Sequence, residues 1–321
     1  MTADAEAWDA ELDRLASPAP LLQSWAWGEV QARAGWSIER VRLDGAMASV
    51  QTRGVGPLRE AYVPRGPVPA NADSLASLAR WAKEQGLVRI RVEPDAPPAL
   101  GDQLRELGFT RVEPVQPERT RILELGAPDA VLARIDRGTR YNIRLAERRG
   151  VVVEEGRDAA ELVEQSKWVA AREAISLPSR AYYESLLELL PWCRTYVARD
   201  GESGEAVCAL LVARFAGRGY NLFAGRSGAH ADLKANELAH WHAIRGAAEA
   251  GLVEYDLWGV PPPGAAADHP WSGLGKFKAG FGGRIVDYAG AWEMQLSKGA
   301  RLLDVERSTR RAVRRLRRNI S

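Results

Sequence analysis

The densest run of chemically capable side chains lies between residues 255 and 283. Tyr255-Asp256-Leu257-Trp258-Gly259-Val260 leads into a Pro/Gly/Ala loop, Pro261 to Ser272. The loop is followed by Gly273-Leu274-Gly275-Lys276-Phe277-Lys278-Ala279-Gly280-Phe281-Gly282-Gly283. Lys276 and Lys278 flank Phe277 among glycines, so the backbone can approach a ligand while an ammonium faces it. Lysines solvated on a glycine-rich surface turn give the same pattern. Tyr255, Asp256 and Trp258 stand at the end of an apolar strand, where they line a cleft or, for Trp258, pack into the core. With His269 and Trp271, the loop is long for a compact domain and is a lid candidate.

A second cluster, Arg134 to Arg149, holds six arginines and two acids. On a helix, Arg137, Arg140, Arg144 and Arg148 fall three and four apart, a basic stripe opposite Ile143 and Ala146. The stripe fits phosphate binding or a solvated basic face. A third lies from Arg301 to Ser321, with eight arginines against Asp304 and Glu306. There Leu302, Val305, Thr309, Ala312 and Leu316 form a packing seam, leaving Arg311 and Arg314 on an outer face that either holds RNA or only keeps this end of the chain soluble. The formal net charge of +2 is therefore a local +6 added to −4 over residues 1–300.

Other chemistries are poorly supported. No G-x-x-x-x-G-K-[ST] occurs, no G-x-G-x-x-G opens a helix, and no G-x-S-x-G elbow is present. Cys193 and Cys208 cannot build a multi-cysteine zinc site or a disulfide framework, and the four histidines lack partners at ligand spacing, so no metal is expected. No apolar run approaches the roughly 18 residues of a membrane span, and the acidic start (Asp4, Glu6, Asp9, Glu11, Asp13) is unlike a signal peptide. These features predict a cytoplasmic protein.

The elements that must carry these residues alternate. Helix 21–36, strands 38–43, 46–52 and 60–63, helix 74–85, strand 88–92, helix 100–107 and strand 122–125 form a first mixed α/β set. Gly35, Gly86 and Gly108 stop its helices. Helices 128–135 and 138–149, strand 151–155, helices 159–173 and 179–190, strands 196–200, 206–215 and 218–223, helix 235–250 and strand 252–260 repeat the rhythm. A duplicated α/β module is the expected architecture.

Six segments occur in the order and spacing typical of the Fem family, the tRNA-dependent aminoacyltransferases that build peptidoglycan interpeptide bridges. They are Ser24-Trp25-Ala26-Trp27-Gly28-Glu29-Val30, Tyr62-Val63-Pro64-Arg65-Gly66-Pro67-Val68, Gln116-Pro117-Glu118-Arg119-Thr120, Arg140-Tyr141-Asn142-Ile143-Arg144-Leu145-Ala146, Tyr255-Asp256 with Gly259-Val260, and Lys276-Phe277-Lys278 before Gly280-Phe281-Gly282-Gly283. The chain resembles that family along nearly its whole length. The resemblance implies two tandem GNAT-like domains of mixed sheets flanked by helices, without a long helical-hairpin insertion. The first would span 1–126 plus a returning C-terminal segment, 290–321, and the second 127–289.

It also implies aminoacyl-tRNA as donor, a peptidoglycan precursor (UDP-linked muramyl peptide or its lipid-linked form) as acceptor, no cofactor, no DNA and a monomer. A lipid-linked acceptor would bring the protein to the membrane surface. Within that family pattern Lys278 holds the ester carbonyl oxygen or the tRNA end, Phe277 shapes the site, and Glu93, before Pro94, orients or deprotonates the amine. Tyr255, Asp256, Trp258 and Lys276 line the cleft, and Arg140, Arg144, Arg311 and Arg314 meet tRNA. Two departures stand out. Gln31 replaces a lysine that meets the precursor's diphosphate in many relatives, leaving Arg33 or Arg65 for that role. His230-Ala231-Asp232-Leu233-Lys234-Ala235-Asn236-Glu237 replaces H-R-x-L-x-P-x-Y, leaving Lys234 or Arg226.

Overall fold

The computed structural model describes residues 2–173, 177–227, 230–262, 264–266 and 268–300. In chain order the elements are α1 (Ala3–Leu15), α2 (Trp25–Arg33), β1 (Ser37–Leu43), β2 (Ala46–Val55), β3 (Leu58–Pro64), α3 (Ala72–Glu84), β4 (Arg89–Glu93), α4 (Leu100–Glu106), β5 (Thr110–Arg111), β6 (Arg119–Glu124), α5 (Pro128–Arg134), α6 (Arg137–Arg148) and β7 (Val152–Gly156). They continue with α7 (Ala160–Glu173), α8 (Arg180–Leu189), β8 (Cys193–Arg199), β9 (Ala206–Phe215), β10 (Arg218–Arg226), α9 (Ala235–Glu249), β11 (Glu254–Gly259), α10 (Ser272–Ala279), β12 (Arg284–Asp287) and β13 (Trp292–Gln295).

Two compact units result, one of residues 35–116 with 288 onward, the other of residues up to Ala34 with 117–287. The smaller holds a six-stranded sheet, β1-β2-β3-β4-β13-β5, in which β3 and β4 are parallel. α3 opens with a reciprocal capping box between Asn71 and Ser74, which satisfies two otherwise orphaned amides. Its apolar face (Leu75, Leu78, Ala82) joins Ile90, Val92, Phe109 and Trp292 in one core.

The larger unit carries a seven-stranded sheet, β12-β6-β11-β10-β9-β8-β7. Its core is built from residues of β8, β9 and β11, among them Tyr196, Leu210, Val212 and Leu257, and one face of α9, including Leu238, Trp241 and Ile244. The expected domain division at residue 126 differs from the observed packing for two reasons. β6 pairs with β11 and β12, so the break falls before Pro117. The N-terminal segment also packs on this unit, the Tyr220 hydroxyl donating to the Ala19 carbonyl at 3.0 Å. The returning segment includes β13, paired with β4 and β5 of the smaller sheet, while its arginine-rich part from 301 onward lies outside the described residues.

Candidate functional site

The site begins where two parallel strands part. β10 and β11 pair only from Arg218 to Tyr220 with Glu254 to Asp256. Beyond this, β10 is irregular between Asn221 and Phe223 against β9, and β11 between Asp256 and Gly259 against β6. A cavity of about 630 Å³ is lined here by β10 from Asn221 to Arg226, by Trp258, by Asn236, Glu237 and His240 of α9, and by Leu274, Phe277 and Lys278 of α10.

Lys276 and Lys278 lie on the helix α10 and not on a glycine-rich turn. Residues two apart on a helix point about 200° from each other, so only one of Lys276 and Lys278 can face inward. Lys276 is exposed and Lys278 buried. The Lys278 ammonium donates to the Gly259 carbonyl at 2.6 Å. Burial pulls its pKa down to about 8, against the opposing influence of the Asp256 carboxylate.

Asp256 is equally enclosed. Its Oδ1 accepts from the Thr120 hydroxyl and, at 2.7 Å, from the Trp258 amide. Trp258 takes a left-handed φ of 66°, uncommon for so bulky a side chain and a mark of local strain. The stretch from Asp256 to Gly259 thus sets the acceptor of Lys278. In an Asp256→Asn variant the Lys278 pKa is expected to fall further below its ordinary value, because the nearby anion favouring its charged form is gone. Titration of the lysine amines by nuclear magnetic resonance checks this, and an unchanged or higher value would contradict it.

His240 is a component that sequence reasoning passed over. Its Nδ1 lies 2.8 Å from the Asn236 carbonyl, which can only accept, so that nitrogen carries the proton. Nε2 is then free to accept from the Asn221 amide at 3.4 Å. Burial, with smaller contributions from Lys278 and Arg226, pulls the pKa of His240 to about 4, so the ring is neutral near pH 7. Phe277 meets it edge-on at 4.9 Å and Phe281 at 5.7 Å. The only sequence signal was Asn236 and His240 four apart on one helix face.

Several expected site residues lie elsewhere. Tyr255 is fully buried against Gly219, where a Cβ would come within 2.6 Å of its ring, so it belongs to the core rather than the cleft. Strand alternation sends it to the opposite face from Asp256. Lys234 is half-buried ahead of α9 and does not line the cavity, whereas Arg226 does. Arg33 is exposed and paired through both terminal nitrogens with Glu188, at 2.6 and 3.1 Å. Gln31 donates to the Tyr182 hydroxyl at 3.1 Å. Arg140 ties α6 to the preceding turn, donating to the Ala133 and Ile135 carbonyls at 2.6 Å each, while Arg144 is exposed. Arg311 and Arg314 fall outside the described residues.

Glu93 and Arg65 meet in the smaller unit. Glu93 is 2% exposed and accepts from the amides of Val115 at 2.9 Å and Gln116 at 2.6 Å and from the Tyr62 hydroxyl at 3.2 Å. Burial raises its pKa against the opposing effect of these bonds and of Arg65. The Arg65 amide donates to the Glu93 carbonyl at 2.7 Å, and its guanidinium stacks 3.7 Å from the Tyr288 ring centre. Glu93 thus clamps the 115–116 segment, and the role expected of it, orienting or deprotonating the amine, competes with these bonds. Among the described residues no group of three His, Cys, Asp or Glu converges as a metal site, and no helix is long and apolar enough to cross a membrane.

A mixed sheet opened between two parallel strands, with a cavity in the opening, is the frame of a GNAT-like fold. A family model described as an acetyltransferase (GNAT) domain matches residues 133–271, which include the parting strands and most of the cavity wall. The whole chain has the fold of FemX, with a TM-score of 0.80 at 20% identity, covering 94% of this chain and 98% of that one. It is also similar in fold to a tandem GNAT protein from the clavulanic acid biosynthesis pathway (TM-score 0.54, 14% identity, 92% and 97% covered). A third likeness is L-PGS from Bacillus licheniformis (TM-score 0.52, 14% identity, 85% and 89% covered). A search of curated proteins returns no match. The chain is therefore built of two tandem GNAT-like modules and shares its fold with FemX.

Proposed function

We propose that this protein moves an amino acid from aminoacyl-tRNA to the stem-peptide amine of a peptidoglycan precursor, UDP-linked or lipid-linked, forming an interpeptide bridge. The observation that carries the reading is a buried ammonium, Lys278, at the cavity of a FemX-like fold. Aminolysis of an ester needs an aligned neutral amine and a counter-charge for the tetrahedral intermediate. The amine nitrogen attacks the ester carbonyl, a C–N bond forms, and the negative charge on oxygen meets the Lys278 ammonium. The C–O bond to the ribose then breaks, the leaving oxygen takes a proton and the new amide nitrogen has lost one. Phe277 and His240 wall the site with a neutral, apolar edge.

The match of residues 133–271 to an acetyltransferase model favours a second reading, an N-acyltransferase with acyl-CoA as donor. Ordinary GNAT enzymes carry R/Q-x-x-G-x-G/A at a strand-to-helix turn for the CoA pyrophosphate. That spacing occurs here twice, Gln51 to Gly56 and Arg214 to Gly219, each in a β-hairpin with no helix to follow. The turn between β10 and α9 lacks it, which supports the aminoacyl donor. Purified protein with charged tRNA and a lysine- or ornithine-containing UDP-muramyl peptide is expected to yield a new amide by mass spectrometry. Product from acyl-CoA without tRNA would favour the second reading.

A further inference from the structure

We propose that α6 is a docking face for a single-stranded RNA end, on which Tyr141 stacks a base while Arg137, Arg144 and Arg148 hold phosphates. This rests on the aminoacyl-tRNA reading and adds to it the part of the chain that would seat the donor. At about 100° per residue, positions 137, 141, 144 and 148 fall within an arc of roughly 60°. All four are exposed, Tyr141 at 58%, and the Arg148 guanidinium lies 5.9 Å from the Tyr141 ring centre. The opposite face, Ile143 and Ala146, is buried in the core of the larger unit. Arg140, which sequence spacing placed in the stripe, is spent on the Ala133 and Ile135 carbonyls. An aromatic ring therefore sits within a row of cations.

The carboxylates nearby do not neutralise this row. Asp136 caps the helix by accepting from the Gly138 amide, and Glu147 projects roughly 60° outside the arc. The same helix braces the cavity, since the Asn142 side chain donates at 2.9 Å to Glu237 of the cavity wall. Cations flanking a sequence-tolerant aromatic platform are what a single strand requires: charge for its backbone, a π-face for a base. A lipid surface would call for several apolar groups on this face, and Tyr141 stands among arginines.

The test uses the full chain and a labelled single-stranded RNA of roughly 12 nucleotides, within the span of known single-strand sites, followed by fluorescence anisotropy across a salt series. Tyr141→Ala is expected to weaken binding about 5- to 100-fold with an unchanged salt slope, as for loss of one base stack. Tyr141→Phe should bind as wild type. Arg144→Ala should lower the slope of log K against log salt by about 0.7. Thermal unfolding, unchanged in these surface variants, guards against misfolding. Wild-type affinity in Tyr141→Ala overturns the proposal, as does binding to phosphatidylglycerol vesicles that RNA cannot displace. If transfer from charged tRNA is intact in Tyr141→Ala, this docking face fails while the aminoacyltransferase reading stands. If RNA binding depends on Tyr141 but wild type transfers nothing from charged tRNA, the docking face stands and that reading fails.

Discussion

Lys278→Ala is expected to lower the rate of amide formation about 10²- to 10³-fold, the usual cost of removing one group that stabilises an oxyanion. Circular dichroism and thermal unfolding of the variant establish that its fold persists, and mass spectrometry of the muramyl peptide product measures the loss. Undiminished transfer by a folded Lys278→Ala protein would remove this residue from the chemistry. The pH dependence discriminates further. With its pKa drawn down to about 8, Lys278 is an ammonium below that pH and a neutral amine above it. A role that needs positive charge gives a rate that falls as pH rises through about 8; a role as general base gives the reverse. Lysine at its ordinary pKa would show neither limb near pH 8, so the placement of the limb reports the burial of the side chain.

The second large effect is expected on stability. Glu93→Ala should destabilise the protein by about 3–5 kcal/mol, because it leaves the Val115 and Gln116 amides and the Tyr62 hydroxyl without their acceptor in a closed environment. Glu93→Gln keeps one acceptor oxygen and turns an amide NH₂ toward a donor, so it should lie between Ala and wild type. Differential scanning calorimetry orders the three. Equal unfolding midpoints would mean that Glu93 is dispensable to the packing of the smaller unit, which would return it to consideration as a base for the incoming amine.

Much of the scaffold was legible in the sequence because its signals are local. Helix α3 follows from apolar spacing and Gly86 beyond its end, with its start at Ala72 fixed by the Asn71 cap; β9 follows from an uninterrupted apolar run. α10 was not legible. Gly273 and Gly275 lower its helical propensity, and the helix is seated by contacts distant in sequence, such as Gly275 against Pro261 and Gly280 against Thr139, where a Cβ would lie 2.8 Å from the proline ring and closer still to the threonine hydroxyl. β12 and β13 are each four residues long and exist through their partners, β6 and β4.

By itself the sequence determined the alternation of strands and helices, the two-module architecture and the basic character of α6. Each of these depends on residue type and on spacing within one or two turns. Only the tertiary structure decided which lysine is buried, that Tyr255 belongs to the core, that Tyr141 rather than Arg140 completes the exposed stripe, and that Glu93 is occupied. Those outcomes turn on partners far along the chain: Gly259 for Lys278, Gly219 for Tyr255, Gln116 for Glu93. A side chain's type defines which bonds it can make, but burial and the nearest unsatisfied group decide which it does make, and both are properties of the packed molecule.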